Sequence, residues 1–194
     1  MMDLEKQKEH FKEHVATLTD YGNIKILDFA KPGSSNYRIR FLFEEDYYRL
    51  HISGDLGELI ATNFNNMCYE EFNDFVHNTG YFEVKINCNS RPIYEYDYDK
   101  TWQDLEEHLK DFEFPKYEWE TEEEARKDKI DEIMDDYVSD RQGLGSRAYD
   151  LVSEIDSDCF EYFDDLGKQS TGILELYMLA FELAQEQLKG NANG

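Results

Sequence analysis

The sequence predicts an α+β protein: an antiparallel β-sheet of about 4–6 strands with flanking helices, followed by an acidic all-helical C-terminal third. Three observations carry this. Between residues 24 and 98, apolar and polar residues alternate in short runs separated by Gly, Pro, Asn and Asp, the pattern of strands joined by tight turns. From residue 121 the apolar spacing lengthens to that of helices. The 194 residues are 40% hydrophobic and 15% aromatic, enough to bury a core without a metal or disulfide staple. The expected division is an α+β sheet domain over 1–114 and an acidic helical region over 115–194 packed on it.

The elements follow in order. Leu4, Phe11, Val15 and Leu18 stand among charged residues, and the spacing of the last three predicts an amphipathic helix over 3–18. Residues 24–29 and 37–43 read as strands, separated by a loop containing Pro32, Gly33, Ser34 and Ser35. Glu44, Glu45 and Asp46 turn the chain, and 47–52 return as a hairpin partner. A turn from Gly54 to Gly57 leads to a fourth strand over 58–64. Tyr69, Phe72, Phe75 and Val76 stand at helical spacing within 68–78, with Gly80 placed to stop that helix. Residues 81–86 and 93–98 predict two more strands. Thr101 is the expected cap of a helix carrying Leu105 and Leu109, with Asp104 at the capping-box position and Pro115 at its end.

Beyond this point, Thr121 precedes Glu122, Glu123 and Glu124, three acids where the dipole of a helix start favours them. Ile130, Ile133, Met134, Tyr137 and Val138 form the apolar stripe of that helix, which Gly143 and Gly145 break. Leu151, Val152, Ile155, Cys159, Tyr162 and Phe163 predict one continuous helix over 148–163. Ser170 or Thr171 caps a last helix that is apolar on nearly every side from 173 to 188, and is therefore buried in the core or against a partner.

The chain holds 44 acids against 20 cations, a net charge of −24. Such a chain repels phosphate, which argues against direct binding of nucleic acid or an anionic membrane and favours basic partners. The charge is not spread evenly: residues 111–165 hold 20 acids and 6 cations, net −14 in 55 residues. On the helix after Thr121, Glu124, Asp128, Asp131 and Asp135 recur at i, i+4, i+7 and i+11, away from the apolar stripe. Glu154, Asp158, Glu161 and Asp165 supply a second such row, and Glu113, Glu118 and Glu120 lead into the first. A helix rises about 6 Å over four residues, while each DNA strand presents a phosphate about every 3.4 Å, so two adjacent rows approach the charge density of a duplex. Like charges at i, i+4 destabilise a helix, a reason to look for a use of the rows.

Other chemistry finds little support. Cys68, Cys88 and Cys159 form no CxxC pair, so neither a zinc knuckle nor a redox motif is indicated. His10 and His14 with Glu13 match the H-x-x-E-H pattern of inverted zinc proteases, but no third ligand is in sight. Around Asp97 and Asp99 a calcium loop fails, because Trp102 stands where Gly is required and His108 where Glu is. Tyr94, Tyr96 and Tyr98 alternate with Glu95, Asp97 and Asp99, which reads as a strand with rings on one face and carboxylates on the other. No cofactor or metal is expected. The N-terminus lacks an apolar signal segment, and 173–184 is too short and too charged to span a bilayer, so a cytoplasmic location is expected.

Residues 37–99 resemble small uncharacterised proteins of phages and prophages from low-GC Gram-positive bacteria. The likeness rests on the hairpin ending in Ile52-Ser53-Gly54-Asp55-Leu56-Gly57, on the short helix before Gly80-Tyr81-Phe82, and on the Lys85-Ile86 strand. It covers about a third of the chain and carries over no active site. Such accessory proteins include inhibitors of host defence, among them anti-CRISPR proteins, several of which imitate duplex DNA and fill the Arg- and Lys-lined cleft where an RNA-guided nuclease reads its target-adjacent motif.

The leading expectation is therefore a non-enzymatic inhibitor acting in the host bacterial cell. It would dock Glu118, Glu120, Glu124, Asp128, Asp131, Asp135, Glu154, Asp158, Glu161 and Asp165 on a basic nucleic-acid-binding protein, above all a CRISPR effector nuclease. The second is a phage assembly protein that forms a homodimer through 173–188, with charge serving solubility alone.

Overall fold

The structure, a computed structural model, describes residues 3–114, 116–119 and 121–192. Pro115 and Glu120 lie outside the described residues. In chain order the elements begin with helix α1 (Leu4–Phe11), then strands β1 (Val15–Asp20), β2 (Ile24–Ala30), β3 (Ile39–Glu44), β4 (Arg49–Gly54) and β5 (Leu59–Thr62). Short helices α2 (Asn73–Val76) and α3 (Thr79–Glu83) precede β6 (Ile86–Asn89) and β7 (Tyr94–Tyr96). Helices α4 (Tyr98–Leu109) and α5 (Glu122–Met134), strands β8 (Tyr137–Ser139) and β9 (Gly143–Leu144), and helix α6 (Ser146–Ser153) follow. Strand β10 (Lys168–Ser170) and helix α7 (Ile173–Ala192) end the chain.

These elements form two compact units: residues 3–93 with 172–192, here the sheet unit, and residues 94–171, the acidic unit. In the sheet unit, β1 to β6 make a six-stranded antiparallel meander in sequence order. Alternation along the strands sends one face inward, as in Leu27 and Phe29, Ile39, Phe41 and Phe43, Leu50 and Ile52, and Leu59 and Ala61. That face packs on Phe72, Phe75 and Phe82 and on α7, where Phe181 lies edge-on to Phe41, Phe43 and Phe72 at 4.8–6.0 Å between ring centroids. Gly54 fixes the end of β4: its φ is 148°, and a Cβ there would lie 2.0 Å from the carbonyl oxygen of Arg38.

The acidic unit has its own core of Leu105, Leu109, Ala125, Ile130, Ile133, Met134, Ala148, Val152, Cys159 and Leu166. Around it run α4, α5 and α6, the hairpin β8–β9 and the antiparallel pair β7–β10.

The α+β class and the antiparallel sheet are as the sequence predicts; several finer expectations are corrected. The helix expected over 3–18 stops at Phe11, because Val15 to Thr19 follow a period of two, with Ala16 buried and Val15 49% exposed, and pair along their length with β2. The helix expected over 68–78 shrinks to the single turn α2, and a second short helix follows it: the Asn78 side chain accepts the Tyr81 N–H and opens α3, so Gly80 lies inside a helix and Tyr81 is not in a strand. Asp97, not Thr101, caps α4 through the Lys100 N–H (2.8 Å). Thr101 is buried and its hydroxyl donates to the Asp97 carbonyl. Tyr137 and Val138 leave the stripe of α5 for strand β8.

The helix expected over 148–163 ends at Ser153, since the Asp156 carboxylate accepts the Asp158 N–H and the Tyr162 hydroxyl, local bonds that compete with helix continuation. Two 3-10 turns, Cys159–Glu161 and Phe163–Asp165, follow. The C-terminal third is thus not all-helical, and the 114/115 boundary gives way to breaks at 93/94 and 171/172, with α7 returning to the first unit. The apolar side chains of 173–188 that suggested a homodimer are covered inside the sheet unit, among them Leu174, Leu176, Tyr177, Phe181 and Ala184. No helix among the described residues is long and apolar enough to cross a membrane.

Candidate protein-binding surface

The structural division sharpens the charge asymmetry. Residues 94–171 carry 26 acids and 9 cations, net −17; the remaining 116 residues carry 18 and 11, net −7.

Helix α5 is the best-formed acidic element. Thr121 caps it, accepting the Glu124 N–H at 3.2 Å while the Glu124 carboxylate takes the Thr121 N–H at 2.9 Å, a closed capping box. That backbone bond, followed by the one from the Thr121 hydroxyl, holds the Glu124 carboxyl below the usual range. Ala125, Ile130, Ile133 and Met134 fix the buried side, and Glu124, Asp128, Asp131 and Asp135 are exposed on the rest. The first acidic row therefore exists at helical spacing, with Asp135 as the residue that closes the helix.

The second row does not. Glu154 closes α6, Asp158 precedes the first 3-10 turn, Glu161 lies within that turn, and Asp165 ends the second. All four are exposed, yet they do not share a helix face. Glu118 is exposed in the segment before α5, and Glu120 lies outside the described residues.

Many carboxylates of this unit also hold its fold. Asp131 accepts the Trp102 indole N–H at 3.1 Å. Glu132 pairs with Lys129 at 2.9 Å and Arg147 at 3.8 Å. Asp136 accepts the Ala148 N–H at 2.9 Å and Asp104 the Gly167 N–H at 2.8 Å. Asp165 pairs with Lys168 at 2.8 Å.

Two features of this unit escaped the sequence reading as sites. One is a cleft of about 240 Å³ lined by Glu95, Asp97, Asp99 and Asp140 with Tyr96, Tyr98 and Gln169. Beside it the Tyr137 hydroxyl bonds the Tyr96 carbonyl at 2.6 Å, and burial, reinforced by Asp140, pushes its pKa up to about 12. The alternation over 94–99 signalled five of these residues; Asp140 arrives only through the turn after β8, and Gln169 through β10. The other is Tyr117 and Trp119, stacked in parallel and largely exposed. Their signal was present as aromatics interleaved with Glu118 and Glu120.

Elsewhere the chemistry is limited. His14 is 3% exposed, and its Nε2 lies 3.1 Å from the Tyr37 carbonyl oxygen, while His10 stacks on the Tyr37 ring. The H-x-x-E-H residues straddle the end of α1 rather than sharing a helix face, and His14 is turned into the core. In the sheet unit Glu45, Cys68 and Glu70 bring potential metal-ligand atoms within 4.8 Å of one another. The Lys25 ammonium pairs with both carboxylates and already supplies the positive charge there. A cleft of about 300 Å³ on the same unit is lined by Asp28, Arg38, Arg40, Ser53, Gly54 and Glu58, with Arg40 held by Asp28 through two bonds of 2.7 and 3.0 Å. Compared with protein families, curated proteins and solved structures, the chain matches none.

Proposed function

We propose that this protein is a non-enzymatic inhibitor whose acidic unit docks on the basic, nucleic-acid-binding surface of another protein. The observation that carries the reading is the concentration of charge: −17 of the net −24 lies in the compact unit over 94–171. A coat that served only to dissolve the protein has no reason to favour one unit, whereas a surface competing for a cleft built for phosphate does. Within this proposal the partner class is a CRISPR effector nuclease in a phage-infected bacterial cell, with the acids occupying the Arg- and Lys-lined cleft that reads the target-adjacent motif.

The geometry favours a looser imitation of DNA than two parallel helical rows. Only α5 presents its acids at regular spacing; 154–165 offers them from turns. The charges are those of an electrostatic competitor rather than a copy of the duplex.

The test is association with purified nuclease effectors across a salt series, with nucleic-acid cleavage as the second readout. Binding is expected to weaken steeply as salt rises, and reversal of Glu124, Asp128, Asp131 and Asp135 to Lys in a folded variant is expected to abolish it. Inhibition untouched by that quadruple reversal would refute the proposal.

A further inference from the structure

Tyr117 and Trp119 are large aromatic side chains left outside both cores. Their rings stack at 4.9 Å between centroids with only 3° between planes. Tyr117 is 65% exposed and Trp119 80%, among the highest exposures of any aromatic residue in the chain. One face of the indole lies on the tyrosine, and an exposure of 80% leaves the other face to solvent. The pair sits in a strongly acidic stretch: residues 111–124 hold seven acids against the single cation Lys116, and that lysine is paired with Glu122.

Exposed tryptophan and tyrosine stand out at protein interfaces, where they supply large contact area with little loss of side-chain freedom. The surrounding charge selects the occupant. A nucleic acid also stacks on such rings, but its phosphates meet the net charge of −6 over 111–124. A cation is attracted twice, by the ring quadrupole and by the carboxylates. Between the two protein cations, the planar guanidinium both lies flat on an indole and forks onto a carboxylate, whereas the ammonium acts as a compact, strongly hydrated point charge.

We infer that the Tyr117–Trp119 stack, set in this acidic stretch, is an anchor site for an arginine side chain of a basic protein partner. This rests on the docking role proposed for the acidic unit and adds to it a residue-level contact. The acids draw the partner in and the aromatic pair holds it, so removing the rings affects affinity without altering the salt dependence that the carboxylates impose.

The test uses the full-length protein and fluorescently labelled decaarginine, with affinity read by anisotropy across a salt series. Trp119→Leu and Tyr117→Leu are expected to weaken binding by about 3- to 30-fold while leaving the salt slope as in the parent, and Trp119→Phe to recover much of the loss. Decalysine is expected to bind more weakly than decaarginine and to be indifferent to Trp119→Leu. Melting curves on each variant establish that the fold is retained, as exposures this high predict.

Equal binding of decaarginine by the parent and Trp119→Leu overturns the inference while leaving the acidic docking role standing. Binding of oligothymidine that depends on Trp119 overturns it in favour of a nucleic-acid strand. Self-association lost in Trp119→Leu overturns it in favour of a second copy of this chain. Absence of any decaarginine binding by the parent at low salt removes both the anchor and the docking role beneath it.

Discussion

Replacing Asp128 and Asp135 by lysine separates charge from fold on α5. Both residues are exposed, and neither takes part in the capping box that Glu124 closes or the bond that Asp131 receives from Trp102. The double substitution changes the acidic unit from −17 to −13, two charges for each position. Exposed ion pairs are worth ~0.2–1 kcal/mol each. Two attractions lost and two repulsions gained therefore weaken binding to a basic partner by about 1–4 kcal/mol, roughly 5- to 1,000-fold at low salt. Stability moves the other way. Asp135 closes α5, whose last turn has no basic residue, and a lysine there meets the negative end of the helix dipole, a gain of ~0.3–1 kcal/mol.

Decaarginine anisotropy measures the first quantity. Urea denaturation followed by the emission of Trp102 and Trp119, both in the acidic unit, measures the second. The contrasting variant is Glu124→Lys, which loses the carboxylate that takes the Thr121 N–H and so confounds weaker binding with a weakened helix. An affinity unchanged in folded Asp128→Lys/Asp135→Lys would show that the α5 row is not part of the binding surface. A double variant less stable than Glu124→Lys would refute the division of these carboxylates into structural and available ones.

Three further outcomes are expected in the sheet unit. Lys25 is the one cation on the covered face of β2, with its side chain 11% exposed against Glu45 and Glu70, so Lys25→Met leaves two carboxylates facing each other and lowers stability, by less than stranding the ammonium because Glu70 can turn to water. Glu45→Ala/Glu70→Ala strands the ammonium and costs ~2–3 kcal/mol, less than a fully buried pair because the Glu70 side chain is 59% exposed; urea midpoints distinguish the two. Phe181→Ala removes a fully buried ring from between Phe41, Phe43 and Phe72 and costs about 3–5 kcal/mol, and Leu176→Glu unfolds the unit rather than splitting a dimer, as circular dichroism with light scattering will report. Burial, only partly offset by the Tyr37 and Asn36 backbone, lowers the pKa of His14. Its stabilising contribution is therefore complete above the unfolded value of about 6.5 and is lost as pH falls through the folded one; His14→Phe removes that slope from a stability–pH profile.

How much was legible follows from the range of each interaction. The central hairpins were readable because period-two alternation and short turns are local, and the sheet follows sequence order. Strand β1 was not, because Phe11, Val15 and Leu18 satisfy a helical spacing and only pairing with β2 decides the matter. The end of α6 turned on the side chain of Asp156, one of several Ser and Asp residues whose local bonds rival the helix, and apolar spacing alone does not register them. For α7, an all-round apolar pattern announced burial but not what covers it; the answer, the first unit, depends on contacts more than 100 residues distant, such as the Tyr177 hydroxyl donating to the Leu56 carbonyl.

The same distinction governs the candidate surface. Its residues were found from charge alone, and charge does not say whether a carboxylate is employed within the fold. Asp97 and Glu124 cap helices, Asp104 and Asp136 hold backbone N–H groups, and Asp131 and Asp156 receive side-chain donors. Part of the excess of acids is thus the ordinary chemistry of a small, loop-rich unit, and only the remaining carboxylates face a partner unengaged. What it leaves is more pointed. Glu118, Asp128 and Asp135 are exposed and carry none of these duties, and Glu118 lies in sequence between Tyr117 and Trp119, whose exposed rings stack on each other. A solubility coat explains the carboxylates there but not an indole 80% open to water. The proposed contact with a basic partner would account for both, so residues 117–135, rather than the whole acidic third, are where mutagenesis has the most to decide.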